Sequence, residues 1–467
     1  MPTTYDRLNH LDRSFLVYES GVSPMHVGGT ATFEVGGLRR PEGGLDIGRI
    51  RALIEARLPL IPRYRQVVAT TPLGAPIWVD DAHFNLEYHV RHTSLPSPGD
   101  DRQLKALSAR VFSQALDRAK PLWELWFVEG VAGGDRFALI SKVHHAMVDG
   151  ISAVDLLQVI LSPDQVAEVG PAPRWLPRPA PSARKLAFDD LRSFVRAPLG
   201  LAARAPALLA EARKPGSDLR AALRGATDLA FKTVRRPSET PFNRPIGPHR
   251  RCDWLALDLG EVKAVRHALG GSLNDVVLAT VTGAVSRFLA HRSVRADGLD
   301  FRVMTPVSVR TPDERGALGN RVSAWTVPLP VGEPDPRRRL ALIQETTGRL
   351  KQEKNALGAE MLTRMAGWAP ATLLSLGARL AWRNLPFNLI VTNVPGPQHP
   401  LYLLASRMLD NYGLLPLADY LGLAIVLMSY DGKLCWGFTA DWDLVPDVGE
   451  FARCIEEAFG ELRRLAA

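Results

Sequence analysis

Cysteine is nearly absent from this chain: Cys252, Cys435 and Cys454 are the three in 467 residues. They lie far apart, in no metal-ligand spacing and no disulfide framework, which predicts a reducing compartment. No uninterrupted apolar run approaches the roughly 20 residues that a membrane helix needs. The first residues, MPTTYDRLNHLDRSFL, carry charges where a secretory signal would place its apolar core. A cytoplasmic protein is predicted, peripheral to a membrane or to lipid inclusions. No G-x-S-x-G is present, so the usual nucleophile elbow of a serine hydrolase is missing. No nucleic-acid-binding motif accompanies the positive charge, and nucleic acid is not expected as a partner.

What is present suits folded domains. Hydrophobic residues make up 46% and charged residues 23%, enough core for two domains and a linker. The charge is local. Residues 163–250 hold sixteen Lys/Arg and eight Asp/Glu, an excess of eight, and the whole chain has 57 − 49 = 8. The remainder is therefore near neutral. A basic segment suits anionic lipid or phosphate, and equally a solvated linker surface.

Periodicity predicts an α/β chain in three parts. Residues 1–162 read as mixed: strands at 28–35, 85–95, 121–130 and 137–143, and helices at 47–58, 102–116 and 150–161. Residues 163–250 open with PAPRWLPRPAP, an extended linker. They continue through Ala187–Val234 as amphipathic helix broken by prolines. Residues 251–467 return to α/β, with a long helix at 273–292, a hairpin around Asp431-Gly432 and a final helix near 448–465. Met361–Trp382 reads as a surface or buried helix, because Arg364, Pro370 and Arg379 oppose a membrane span.

Seven residues carry the chemistry: HHAMVDG, His144–Gly150, directly after the strand FALISKV. If the strand continues, His145 shares a face with Phe137, Leu139, Ser141 and Val143, and His144 takes the other. One histidine then works and the other is structural. A neutral imidazole suits proton transfer near pH 7. Asp149 stands at a helix start, where a carboxylate suits free N–H groups, and Gly150 allows an unusual backbone shape. A metal centre would need ligands that no nearby Cys/His/Glu cluster supplies, so neither metal nor cofactor is expected.

HHAMVDG matches the HHxxxDG motif of acyltransferases related to chloramphenicol acetyltransferase, shared by peptide-synthetase condensation domains. Five further segments are similar to the bacterial wax ester synthase/diacylglycerol acyltransferase family. They are SPMHVGGTATFE (23–34), PLWELWFVEG (121–130), PFNRPIGPHRR (241–251), SLNDVVLA (272–279) and TNVPGP (392–397).

The resemblance implies two chloramphenicol-acetyltransferase-like domains joined by the crossover, with the active site in a tunnel between them. It implies acyl-CoA as donor, diacylglycerol or a long-chain alcohol as acceptor, and His145 as base. His144, Asp149 and Asn274 complete the catalytic set, with Asn274 as candidate oxyanion donor. Gly150, Trp123, Asp275, Thr392 and Asn393 are the candidate substrate contacts. Each has a plainer role too: Trp123 a packing corner, Asn274-Asp275 a helix start, Asn393–Pro397 a loop. Met25, His26, Gly28 and Gly29 fit a site lining or a strand entry. The competing functions are a condensation-type enzyme using carrier-bound acyl groups and a non-catalytic lipid-binding protein.

Overall fold

Alternating apolar side chains build two mixed sheets and a smaller third one. The structure is a computed structural model. It describes residues 4–148, 156–165, 168–192, 236–308, 322–352 and 385–467. In chain order the strands are β1 (Asp6–Arg7), β2 (His26–Glu34), β3 (Gln66–Thr70), β4 (Pro76–Asp80), β5 (Val90–Ser94), β6 (Trp123–Val131), β7 (Arg136–His144) and β8 (Leu161–Ser162). They continue as β9 (Arg250–Asp258), β10 (Phe301–Ser308), β11 (Val322–Leu329), β12 (Leu389–Val394), β13 (Tyr402–Leu403), β14 (Ser406–Leu414), β15 (Leu423–Tyr430) and β16 (Lys433–Asp441). The helices are α1 (His10–Tyr18), α2 (Ile47–Arg57), α3 (Leu86–His89), α4 (Asp101–Ser113), α5 (His145–Val148) and α6 (Leu156–Ile160). After these come α7 (183–192), α8 (Leu259–Leu269), α9 (Leu273–His291), α10 (Pro336–Gln352) and α11 (Val448–Ala466).

The first sheet has the order β5-β6-β7-β2-β14-β13-β8 and the second β11-β10-β12-β15-β16-β9. This is the α/β class that the periodicity predicts, in the form of mixed sheets flanked by helices that the family resemblance implies. The strand β14 comes from late in the chain and pairs antiparallel with β2, with Tyr412 opposite Thr30 and Leu414 opposite Gly28. The sheets therefore do not follow the two halves of the sequence. The second sheet crosses β14 closely: a Cβ on Gly437 would lie 1.9 Å from the Gly413 carbonyl oxygen.

One face of the first sheet packs Phe33, Phe137, Leu139 and Val143 against Ile50, Leu53 and Ile54 of α2 and Leu156 of α6. The opposite face packs Ala138 and Ile140 against Leu104, Val111 and Phe112 of α4 and Trp254 of β9. The helices α8, α9 and α11 cover the second sheet. Each fully buried aliphatic or phenyl side chain here contributes about 1.5–3 kcal/mol.

Three sequence expectations change. The stretch 85–95 is not one strand: Asn85 accepts the Glu87 N–H at 2.9 Å and caps a single turn, α3, before β5 begins. The strand β14 has no counterpart among the predicted elements. Its Asp410 and Asn411 interrupt the apolar pattern, and its partner strand lies at the other end of the chain. The helix α9 is long and apolar enough, by length and composition, to cross a membrane, but most of it is buried in the second core.

The crossover is described only at its ends. Residues 168–182 and 236–249 have no regular structure, apart from turns in the second stretch. The helix α7 docks on the small sheet β1-β4-β3 through Leu186, which packs on Tyr5 and Ile77. Most of the amphipathic stretch Ala187–Val234, and all of Met361–Trp382, lie outside the described residues.

Candidate active site

The strand β7 ends at His144, and the helix α5 begins at His145. The predicted sharing of a face by His145 and Val143 therefore fails, because the chain has already turned helical. The separation of the two rings survives by a different route. The His144 N–H donates to the Leu122 carbonyl at 2.9 Å, and the His145 N–H to the Met25 carbonyl at 2.8 Å.

The two histidines differ in exposure. His144 is completely buried. Its Nδ1 accepts the Ala146 N–H at 3.0 Å, so the neutral ring carries its proton on Nε2. That Nε2 faces Glu19 Oε1 at 3.5 Å. His145 is half-buried, and its ring stacks on Phe15 with centroids 3.8 Å apart. Asp149 and Gly150, the rest of the motif, lie outside the described residues.

The helix α1 supplies both partners, Phe15 from its body and Glu19 from its C-cap. Burial alone would raise the Glu19 carboxyl. The His144 contact and the Arg118 guanidinium outweigh it and hold the group down at about 2. Arg118 Nε donates to Glu19 Oε2 at 2.8 Å, and the same guanidinium donates to the Leu16 carbonyl at 2.8 Å.

His26 lies opposite His144 in the β2–β7 ladder. Its Nε2–H donates to the Phe112 carbonyl at 2.8 Å. Burial, helped by the Lys142 ammonium, pushes its imidazole down to about 3, so it is neutral at pH 7. Lys142 is fully buried and donates to the carbonyls of Val111 and Gln114 at 3.2 and 3.0 Å. Two side chains from β2 and β7 thus cap the C-terminus of α4, where carbonyls lack helical donors and a cation is favoured. Glu124 neutralises the ammonium from 3.3 Å, and Arg91 in turn pairs with Glu124 at 3.1 Å. His26 is therefore a structural strand residue. Gly28 is one as well, since a Cβ there would meet the Ser141 oxygen at 1.8 Å.

The other sequence-predicted residues fall into different settings. Trp123 is entirely buried, donates its indole N–H to the Tyr64 carbonyl at 2.8 Å and stacks on His89 at 4.5 Å. Its place is a packing corner. Asp275 caps α9: its Oδ2 accepts the Ser272 N–H and hydroxyl, both at 2.7 Å, and its Oδ1 accepts the Thr347 hydroxyl at 2.7 Å. Asn274, one residue earlier in that first turn, is half-buried. Thr392 and Asn393 are adjacent in β12 and so point to opposite faces. Thr392 pairs with Val426, which packs at Gly413, so it lies on the face turned toward the first sheet. Asn393 shares the helix-covered face of Leu389 and Val391.

Phe15, Glu19 and Arg118 were not singled out in the sequence. Their one local signal is Asn9, which accepts the Asp12 N–H at 2.7 Å and opens α1. Elsewhere, His291, Glu450 and Cys454 place ligand-type atoms within 4.8 Å of one another. Glu450 already pairs with Arg453 and His291. Burial pushes the Cys454 thiol up to about 11, which disfavours the thiolate a metal requires.

Residues 8–277 match the family model for the wax ester synthase/diacylglycerol acyltransferase catalytic domain, and residues 318–463 match the WS/DGAT C-terminal domain. A Mycobacterium tuberculosis protein assigned as a diacylglycerol O-acyltransferase is 33% identical over 464 residues, 97% of this chain and 98% of its own. Another from that organism is 32% identical over 470 residues, 98% of this chain and 90% of its own. Among solved structures, the wax ester synthase/diacylglycerol acyltransferase of Marinobacter aquaeolei superimposes with a TM-score of 0.70 at 24% identity, covering 98% and 99% of the two chains. The first condensation domain of the calcium-dependent antibiotic synthetase superimposes at 0.60 and 15% identity, covering 100% and 97%. These two likenesses concern the fold.

Proposed function

Because the chain belongs to the wax ester synthase/diacylglycerol acyltransferase family, and is thereby an acyltransferase of lipid synthesis, we propose that His145 is its general base. The substrates are a long-chain acyl-CoA and the hydroxyl of diacylglycerol or a fatty alcohol. The observation that carries this reading is the unequal burial of the histidine pair. His144 has its Nδ1 engaged and its ring fully buried, whereas His145 is only half-buried and stacks on Phe15.

The steps balance without a covalent enzyme intermediate. The neutral imidazole of His145 takes the acceptor hydroxyl's proton as its oxygen attacks the thioester carbonyl. The oxyanion of the tetrahedral intermediate is met by a fixed donor. Asn274 suits this role, because its amide is engaged by no described residue and it sits in the positive first turn of α9. Collapse breaks the C–S bond, and His145 returns the proton to the thiolate. The products are an ester and free coenzyme A.

Membrane or lipid-droplet contact is part of the same proposal. The helix α7 turns Leu186 and Asp190 inward, where Asp190 pairs with Arg7 at 2.8 Å, while Asp189 accepts the Tyr5 hydroxyl at 2.8 Å. Phe188 and Leu191 remain 65% and 57% exposed beside the exposed Arg184, Lys185 and Arg192. Apolar and basic groups together on one face suit an anionic lipid surface.

The decisive experiment follows thiol release from purified protein with palmitoyl-CoA and a panel of diacylglycerol and long-chain alcohols. The folded His145→Ala variant is run beside it. Loss of turnover by at least a hundredfold is expected. Wild-type turnover in the variant overturns the assignment. Turnover only with acyl-carrier protein as donor favours the condensation-type reading, and no turnover with any donor favours a lipid-binding protein.

A further inference from the structure

We infer that Glu19 is a positioning residue for the catalytic histidine, acting through Met25 and His144 without touching substrate. This rests on His145 being the base.

The geometry is a short chain of bonds around one carboxylate. Glu19 Oε1 accepts the Met25 N–H at 3.2 Å and faces His144 Nε2 at 3.5 Å. The Met25 carbonyl accepts the His145 N–H at 2.8 Å. One oxygen therefore bears on both histidines, on the ring of the first and, through one peptide, on the backbone of the second. The other oxygen is pinned by Arg118, so the carboxylate cannot rotate away.

The loop that Glu19 opens is fixed at its far side as well. Ser20 and Ser23 exchange two backbone bonds at 3.2 and 3.1 Å and form a closed turn. The Ser23 hydroxyl donates to the Leu417 carbonyl at 2.5 Å, and Arg250 donates to the Val22 carbonyl. The segment 19–25 is thus clamped between α1, the histidine strand and the later half of the chain.

The carboxylate also has an electrostatic role. The charged and titratable groups around it are His144 on β7, Arg118 after α4, and His26 and Lys142 on the same sheet face. A fixed anion beside the pair favours the imidazolium that forms when His145 takes the acceptor's proton. Removing the charge makes that imidazole a weaker base.

The test compares wild type, Glu19→Gln, Arg118→Gln and His145→Ala for kcat, KM for palmitoyl-CoA, pH profile and circular dichroism. In Glu19→Gln, kcat is expected to fall on the order of tenfold to a hundredfold. KM should change little, and the acidic limb of kcat/KM should move to lower pH. Arg118→Gln should lower kcat by less, because the carboxylate loses its anchor, and should move the acidic limb slightly to higher pH, because a cation that opposes the imidazolium is gone. A folded Glu19→Gln protein with wild-type kcat and an unmoved acidic limb overturns the inference. A kcat loss with no movement of the limb also overturns it, because a merely structural role predicts that. If Glu19→Gln does not accumulate folded, Arg118→Gln carries the same two readouts from an exposed position, and wild-type values there overturn it. Wild-type turnover in His145→Ala removes the parent assignment instead, so the two failures are distinct.

Discussion

The phenyl ring of Phe15 lies almost flat on the imidazole of His145, with centroids 3.8 Å apart and planes inclined by 21°. The stack restricts rotation of the imidazole about its side-chain bonds. It also places π density against a ring that becomes cationic during the proposed reaction. Stacked rings contribute about 0.5–1.5 kcal/mol beyond their buried area. Phe15→Leu, which keeps the apolar volume, should therefore lower kcat about threefold to tenfold at unchanged fold. Steady-state kinetics beside a melting curve check this, and an unchanged kcat would remove the orienting role.

His144 should behave as a stability residue. His144→Ala strands the buried Ala146 N–H and opens a void, at a cost of about 1–3 kcal/mol. His144→Asn, whose amide oxygen can replace Nδ1 as acceptor, should recover part of that loss. Urea unfolding of both variants separates the two effects. Equal stability of Ala and Asn would show that the hydrogen bond is not the cause.

Acid should weaken the fold well before the carboxylates are protonated. His26 refuses a proton in the folded state until about pH 3, while the unfolded chain accepts one near pH 6.5. Its contribution is complete above about 6.5 and is lost progressively as pH falls toward 3. His89, pushed down to about 4 by burial, adds a term of the same sign. Between pH 6.5 and 5, His26 alone should remove about 2 kcal/mol. Glu19 is depressed to about 2, so its contribution is lost only as pH falls from about 4.5 toward 2, below that window. Urea midpoints at pH 7 and pH 5 measure the slope, and His26→Gln should flatten it.

Asn274 and Asp275 are neighbours with opposite predicted phenotypes. Asn274→Ala should reduce kcat by about a hundredfold, as loss of one oxyanion donor does, at an unchanged melting temperature. Asp275→Ala breaks three bonds at the start of α9 and should lower the melting temperature by several degrees. Its turnover per folded molecule should stay near wild type. The reverse pattern would exchange the roles.

The sequence made some of this visible, and physics explains the division. The strand FALISKV, the turn at the histidines and the capped start of α9 are local patterns, so periodicity and cap chemistry find them. The inequality of the two histidines was also legible, although the strand argument for it stops one residue too soon. Phe15, Glu19 and Arg118 were not legible, because the contacts of Phe15 and Glu19 with the histidine pair, and of Arg118 with Glu19, span 99 positions or more. The strand β14 was hidden for the same reason, as the bond from Thr32 to Asp410 spans 378 positions. The family motifs pointed to the candidate site without describing what holds it.

The placement of β14 has a consequence for how the molecule is made. On the ribosome, β2 and β7 emerge early, but β2 keeps an open edge until residue 414 has been synthesised. Until then the strand that leads from Met25 and His26 lacks one of its two neighbours, and the loop before it lacks its tie to Leu417. A nascent chain should therefore carry its complete histidine motif for most of translation without the framework that makes it a site. The enzyme becomes competent late and all at once, when a strand from near the end of the chain closes a sheet begun near its start.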